Sequence, residues 1–470
     1  MPNDGESLHV GHFSDLHYST ERLVEADRCF GFAVEDAVAR GCHVGIVSGD
    51  ATDHRLDAHT PALRVLAERI HALSGHMPVL MLQGTFSHEP PGTLDLFRLI
   101  GSRHPVYVAD RIHQVALVGS TFLPSAGPLF TVEELETLLQ EGTPSAVFTC
   151  VPTVNKAVLA GIVGAMDAAT AVGEHLTVFL GAAGKVNRLL RSKGIRTIGV
   201  SHGTVNGCYT EHGVPMAGFD HEFSLGALFE AECDAFMLGH IHAMQLWERE
   251  GRLVGYAGSI GCFHYGEKGK KGYLSWQIKP GRAEAVQVET PARETVCVDF
   301  DGPPDMERLA NIAEQTQDKF VRVRWTIDEE HRQLVDREAI RTLFAGAAEL
   351  KLDPRVLPAV RSRAEGISRA ATLGEKVQRW CGLTDVKPDA LLERLSILEA
   401  LEPQDIADRV VASLESGSAA DNGETVASAT AEPVTVQPAW QDADQVQNQS
   451  SLDWLTDDLF AADAAQPLNV

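Results

Sequence analysis

Apolar residues gather in short runs along the first half of the chain, and each run gives way to Gly, Ser, Asp or His rather than to a long polar stretch. Leu8 to Ser14, His43 to Ser48, Val79 to Gln83, Ile195 to Ser201 and Ala235 to Leu238 are rich in Val, Ile, Leu and Phe. Runs of this length and composition predict strands buried on both faces. Helical patterns lie among them: Val132 to Gln140 is acidic and amphipathic, and Asn155 to Ala171 and Val186 to Arg191 carry further helical spacing. Such alternation over residues 1–282 predicts α/β layering. Strands follow at Gly272 to Ile278, Ala285 to Pro291, Thr295 to Phe300 and Phe320 to Ile327, with a helix from Asp305 to Gln317 between the last two.

Residues 368–402 read as a helical hairpin. Thr372 and Glu375 are spaced as a capping box, with Leu373, Val377 and Trp380 at helical spacing behind them. Pro388 opens the second helix, along which Leu391, Leu395, Leu398 and Leu401 recur. From Glu415 to Gln449 the chain is Ser, Ala, Thr, Gln and Asp with few apolar residues, a composition that predicts disorder. Ser451 to Phe460 then sets Leu452, Leu455, Leu459 and Phe460 among acids, as in a short segment that folds on a partner.

At 470 residues the chain is long enough for two or three domains. Its 8 Cys include no CxxC pair, which fits reduced thiols in a cytoplasmic protein. The start carries an acidic residue before any apolar run, and no apolar stretch reaches bilayer length, so neither secretion leader nor membrane span is expected. A net charge of -25 is awkward for a nucleic-acid enzyme. Part of it is remote: from Gly417 onward there are nine acids and no Lys or Arg. Basic clusters remain at Lys268, Lys270 and Lys271, at Arg322 and Arg324, and at Arg355, Arg361, Arg363 and Arg369.

The strand-like runs end in metal-ligand chemistry. Asp15 and His17 follow the first, Gly49 and Asp50 the second, Ser87-His88-Glu89 comes soon after the third, His202 ends the fourth, and Gly239-His240-Ile241-His242 closes the fifth. In extended backbone, side chains two apart point to one side, so Asp15 with His17 and His240 with His242 each offer a pair of donors. Gly49 and Gly239 stand where a chain leaving a strand must turn and let backbone approach an ion. Mixed carboxylate and imidazole donors suit Mn, Fe or Zn better than Ca or Mg. Any one of these residues alone reads as an ordinary hydrogen-bonded side chain; the argument rests on their order. His9, His12, His43, His59, His71 and His76 lack partner spacing and read as structural or exposed.

The series DxH, GDxxD, a loop carrying His88, an isolated SH and GHxH resembles the calcineurin-like metallophosphoesterase superfamily over residues 8–280. Tyr256-Ala257-Gly258-Ser259-Ile260, the loop Gly266-Glu267 and the following strand are similar to SbcD-type DNA repair nucleases. The resemblance implies a four-layer αββα sandwich, a small α+β capping domain at residues 283–350, a helical partner-binding region at 351–416 and an acidic tail at 417–470. It implies Asp15, His17 and His242 on one divalent metal, His202 and His240 on a second, and Asp50 bridging them. His88 would protonate the leaving oxygen, and Asp53 would orient a ligand. Family members carry Gly-Asn-His with the Asn on the second metal; this chain reads Gly84-Thr85-Phe86-Ser87-His88-Glu89. Aligning on His88 puts Ser87 in the Asn position, with Thr85 the other candidate. A hydroxyl there is a poor ligand, so activity is expected to need abundant added Mn²⁺.

The function expected is hydrolysis of DNA phosphodiesters with two divalent ions, Mn²⁺ favoured, in repair or recombination. A small-molecule phosphoesterase, such as a cyclic-nucleotide phosphodiesterase, and a weakly active scaffold on the same fold are the alternatives. Expected partners are DNA through Lys268, Lys270 and Lys271, an SbcC-type ATPase through residues 368–402, and a replication or repair protein through residues 451–460. The sequence leaves a homodimer open.

Overall fold

The computed structural model describes residues 7–153, 165–210, 222–357 and 367–417. In chain order the first elements are β1 (Leu8–Phe13), α1 (Leu23–Ala39), β2 (Val44–Val47), α2 (Pro61–Ser74), β3 (Val79–Leu82), β4 (Val106–Ala109), β5 (His113–Val118) and β6 (Thr121–Pro124). There follow α3 (Val132–Glu141), β7 (Ala146–Val151), a helix Ala165–Ser192, β8 (Arg196–His202), β9 (Thr204–Val205), β10 (Glu222–Phe223) and β11 (Ala235–Gly239). The hairpins β12 (Gln245–Arg249) with β13 (Arg252–Tyr256), and β14 (Gly272–Lys279) with β15 (Arg282–Glu289), complete two sheets.

One sheet runs β15-β14-β1-β2-β3-β4 and the other β12-β13-β11-β8-β7-β5-β6. Strict alternation of side chains along the strands decides how they stack. Leu8 and Val10 of β1, Val44 and Ile46 of β2, and Leu80 and Leu82 of β3 share one core with Phe148, Ile198, Val200 and Met237 of the opposite sheet. Their neighbours Phe13, Val47, Val79 and Met81 point the other way, into a core with Phe30, Ala33, Leu66 and Ile70 of α1 and α2. Beyond the second sheet, Ala116 and Val147 meet Leu135, Leu138 and Leu190 from α3 and the long helix. The α/β expectation therefore holds, with helices outside two facing sheets. Each of the largest side chains here, Trp276 and Phe148 among them, is fully buried and contributes roughly 1.5–3 kcal/mol by leaving water.

The long helix is continuous where the sequence suggested two pieces. Leu176, Phe179, Leu180, Ala183, Asn187 and Leu190 are all buried at helical spacing and carry the pattern across the interval. Residues 155–164 of the first expected piece lie outside the described residues. The boundary expected at residue 283 also moves, because β15 pairs with β14 along its whole length and belongs to the first sheet.

A smaller sheet follows, of β16 (Thr295–Asp301), β17 (Phe320–Asp328) and β18 (Glu349–Leu357), in that order. β16 and β17 are parallel, joined by the helix Met306–Ala313, the β-α-β unit the pattern predicted. Val321, Val323, Trp325 and Ile327 on one face pack against Leu309, Ile340 and Phe344. Arg322 and Arg324 therefore project from the other face. Arg293, just before β16, reaches back to Glu25 of α1 at 2.7 Å, and Arg22 reaches Glu349 at 2.6 Å.

Helices Leu373–Thr384, Asp389–Ala400 and Pro403–Gly417 belong to a second compact unit. Thr372 accepts from the Glu375 backbone N–H at 3.2 Å, but the Glu375 carboxylate accepts from Ala371 rather than closing the box on Thr372. Within the first two helices only Cys381 is buried; Trp380, Leu383 and Leu398 are exposed. The tail and its segment 451–460 lie outside the described residues. Among the described residues, no helix is long and apolar enough to cross a membrane.

Candidate metal centre

β1, β2 and β3 run parallel in one sheet, as do β8 and β11 in the other, and all five end at one edge of the sandwich. The residues immediately beyond them converge. Asp15 N–H donates to the Gly49 carbonyl at 3.1 Å, and His17 N–H to that of Asp50 at 3.0 Å, tying the first two strand ends together. His240 N–H donates to both oxygens of Asp15, at 3.2 and 3.1 Å, tying the second sheet to the first.

Two triads of donor atoms result. Asp15, His17 and His242 place one ligand atom each within 4.8 Å of one another, and Asp50, His202 and His240 do the same. In the first, Asp15 Oδ1 lies 3.9 Å from His17 Nε2 and 3.7 Å from His242 Nε2. In the second, Asp50 Oδ2 is 3.2 Å from His202 Nε2, and the rings of His202 and His240 are 5.3 Å apart. Six residues drawn from positions 15 to 242 thus meet as the sequence expected.

Three of the rings are aimed from behind. His17 Nδ1 lies 3.2 Å from Asp53 Oδ1, His202 Nδ1 2.8 Å from the Ser48 carbonyl, and His242 Nδ1 3.0 Å from Glu267 Oε1. For His202 and His242 the oxygen accepts from Nδ1–H, which keeps the proton there and turns Nε2, with its lone pair, inward, whereas His17 Nδ1 makes no hydrogen bond. His17 Nε2 and His242 Nε2 face each other at 3.0 Å. Two lone pairs at that separation repel unless a proton or a cation lies between them. This donor set fits a divalent cation of the Mn, Fe or Zn kind.

Backbone strain concentrates here as well. Asp15 has φ 50°, His17 45°, Asp50 50° and His240 98°, four of the eight positive-φ non-glycine residues among those described. Each such residue costs on the order of 1–3 kcal/mol, so together they consume an amount comparable with the net stability of a domain. Only a densely bonded surround can hold them. Gly49, at φ +101°, is part of it: a Cβ there would stand 2.3 Å from His202 Nδ1. At Gly239 a Cβ would stand 2.3 Å from Ser14 Oγ, so both glycines let ring and backbone close in.

Charge follows the same geometry. Burial would raise Asp15 and Asp50, but the facing imidazoles hold both carboxyls below their ordinary value. Burial likewise opposes protonation of His202, yet Asp50 pushes it up to about 10. Glu267, buried, is held down at about 2 by His242 and by Lys271, whose ammonium is 2.8 Å away.

Some expected roles shift. Ser87 is exposed, while Thr85 sits at the second triad: its N–H donates to Asp50 Oδ1 at 2.6 Å, and its hydroxyl is 3.2 Å from both Asp50 Oδ2 and His202 Nε2. The chain turns tightly after Thr85, with the N–H groups of His88 and Glu89 both donating to its carbonyl, and that turn carries Ser87 outward. His88 and Asp53 stand beside the first triad: His88 Nδ1 donates to the Asp53 carbonyl, and the His88 and His17 rings are 5.0 Å apart. Lys271 is buried between Glu267, the His242 carbonyl and Ser259 Oγ, so it is a strut behind His242 rather than a surface contact. Lys268 is exposed, and Lys270, also exposed, pairs with Glu289. His12, read as structural or exposed, is buried against Ser48 at 2.8 Å and held near 3, neutral, by burial.

Sequence reasoning gave no role to three residues of this neighbourhood, Glu89 and Glu267 inside its motifs and His264 outside them. Glu89 is buried and accepts from Ala51 N–H at 2.5 Å and Gly84 N–H at 2.6 Å, bracing the Asp50 turn; burial and the Asp50 charge raise it to about 7. Glu267 orients His242, and His264 stacks on the same ring at 5.5 Å with planes 10° apart. Their only sequence signal was proximity to motifs, which says nothing about which way a loop side chain points.

No family model and no curated protein matches the chain. Among solved structures it is similar to GAP50, the anchor in the inner membrane complex of Plasmodium, with 13% identity over 62% of this chain and 91% of that one and a TM-score of 0.36. It is also similar to a dimetal phosphatase from Danio rerio, with 12% identity over 61% of this chain and 99% of that one and a TM-score of 0.38.

Proposed function

We propose that the chain is a two-metal phosphodiesterase that hydrolyses DNA, a nuclease of the SbcD kind. The observation that carries the first half of this reading is the pair of triads, with His17 Nε2 and His242 Nε2 facing each other at 3.0 Å across a gap suited to a cation. Asp15, His17 and His242 would hold one ion, and Asp50, His202 and His240 the other, with Thr85 beside the second. Two such cations supply Lewis-acid charge to both the attacking and the leaving oxygen of a phosphodiester. We assign Mn²⁺ from the donor types.

His88 is the acid in this reading. Its Nδ1–H is engaged by the Asp53 carbonyl, which leaves Nε2 to hand a proton to the departing alkoxide. Asp53 acts twice, orienting His88 through its carbonyl and His17 through its carboxylate. DNA is favoured over a small diester by the sequence resemblance, and the three-stranded unit is tied to the start of α1 through Arg22–Glu349 and Arg293–Glu25. Exposed Lys268 remains a candidate phosphate contact, the exposed apolar helices of residues 373–400 a candidate ATPase-binding face, and the cytoplasm the expected compartment.

Incubation with Mn²⁺ and bis-p-nitrophenyl phosphate, cyclic AMP, or labelled single-stranded and duplex DNA tests this directly. Hydrolysis of DNA and of the diester, abolished by chelation, supports the reading. Cleavage of cyclic AMP alone would transfer the site to small-molecule chemistry, and no turnover with any metal would leave only a scaffold. The hydroxyl of Thr85 is a weak donor, so a metal titration should resolve one tight and one weaker site; two tight, equal sites would contradict it.

A further inference from the structure

Tyr265 follows directly on His264, the residue stacked on His242, and three cations from three separate elements surround its ring. The Arg22 guanidinium, from the loop before α1, is 5.7 Å from the ring centroid. Arg322 of β17 is 5.8 Å away and the Lys351 ammonium of β18 5.7 Å away. One anion answers them: Glu349 accepts from Arg22 at 2.6 Å and from the Tyr265 hydroxyl at 2.6 Å. Among the described residues neither Arg322 nor Lys351 makes an ion pair, and Arg322 Nε is a buried donor without a hydrogen-bond partner. Elsewhere the outer face of this small sheet is neutralised, Arg324 by Asp353 at 2.8 Å and Lys319 by Glu294 at 2.5 Å. In a chain of net charge -25, two cations without an ion pair, brought against the ring that follows His264 in the chain, call for an anion.

We propose that Arg322, Lys351 and Tyr265 form a subsite for a phosphate of the DNA strand next to the one being cut. This rests on the reading of the centre as a DNA phosphodiesterase. The ring holds the cations by its face, as aromatic rings do, and leaves their N–H groups to the phosphate. Arg22 stays with Glu349 and fixes the ring through it. Lys351 is exposed and Arg322 half-buried, so a strand passing from the metals toward the small sheet reaches both. A monomeric diester has no second phosphate and gains nothing from the subsite. The arrangement therefore selects polymer over small substrate.

The test compares the full chain with the double variant Arg322→Ala, Lys351→Ala and with Arg282→Ala, which removes an exposed cation from β15. Each is assayed with Mn²⁺ on labelled single-stranded DNA and on bis-p-nitrophenyl phosphate, after thermal unfolding has shown each to be folded. For the double variant, KM on DNA should rise at least tenfold, and the ratio of kcat/KM on DNA to that on the diester should fall by a similar factor. The slope of log affinity against log salt should shallow by about 0.7, the loss of one neutralised phosphate on a single strand. Lys351→Glu alone should shift KM in the same direction, which keeps the inference testable if the double variant folds poorly. A double variant matching Arg282→Ala on DNA would overturn the subsite while leaving the nuclease intact. A wild-type chain that cleaves the diester but never DNA would overturn the nuclease reading itself.

Discussion

Two groups of buried charge stand at opposite ends of the same strands, built from similar residues and arranged in opposite ways. Where β8 and β11 begin, Asp234 accepts from Thr197 N–H and from Gly281 N–H, both at 2.7 Å, with Arg191 at 3.7 Å. Glu232 meets Arg191 and, at 2.9 Å, Arg252. Each charge there is answered by an opposite charge or an N–H, so the group is complete as it stands. Where β8 and β11 end, imidazole nitrogens face each other across 3.0 Å and four residues carry positive φ, against Glu232, at φ 54°, in the first group. The first group is closed by its own partners; the second brings ring nitrogens together as a candidate site for a cation.

The sharpest break between the two ends should come from chemistry. Replacing His88 with Ala should lower turnover by about 10²–10⁴-fold while bound metal, counted by plasma mass spectrometry, stays the same. Equal rates in the two proteins would remove His88 from the mechanism. Asp234→Ala should do the reverse. By leaving the Thr197 and Gly281 N–H groups without their acceptor it should cost about 2–4 kcal/mol in urea unfolding, with Arg191 still held by Glu232 and turnover per folded molecule retained. A loss below about 1 kcal/mol would show that this end is not the structural one.

Smaller effects probe what lies behind the ligands. Glu267→Gln should weaken cation binding by about 10–100-fold in calorimetry, because His242 loses the carboxylate that fixes its tautomer; undiminished affinity would reduce Glu267 to a loop brace. Thr85→Asn replaces a hydroxyl by a carboxamide oxygen beside Asp50 and His202, and should tighten the weaker site by about tenfold or less, roughly 1.4 kcal/mol. If that site weakens instead, Thr85 is holding Asp50 rather than standing in for a ligand.

Much of this was legible beforehand because it is periodic or local. The strands were legible in unbroken apolar runs, and the residues that converge as two triads in what ended those runs. The pair spacing of Asp15 with His17 and His240 with His242 survives, although both pairs leave the extended conformation, since φ is 50° at Asp15 and 98° at His240. Illegible were the residues whose role depends on a turn. Ser87 and Thr85 are two apart and carry the same functional group; only the helical turn after Thr85 decides which one meets Asp50. Lys270 and Lys271 are adjacent and chemically identical, yet one is exposed and the other buried on Glu267. Composition and order hold no record of that choice.

The sequence alone determined the α/β layering, the five strand ends and the donor set, because alternation and apolar run length follow from backbone geometry and from the transfer of side chains out of water. Tertiary structure alone decided which nitrogen of each ring faces inward, which hydroxyl joins the second triad, and that cations of the small sheet gather around Tyr265. Those outcomes depend on contacts between residues tens to hundreds of positions apart, such as Glu267 with His242 and Lys351 with Tyr265, and such contacts exist only once the chain has closed on itself.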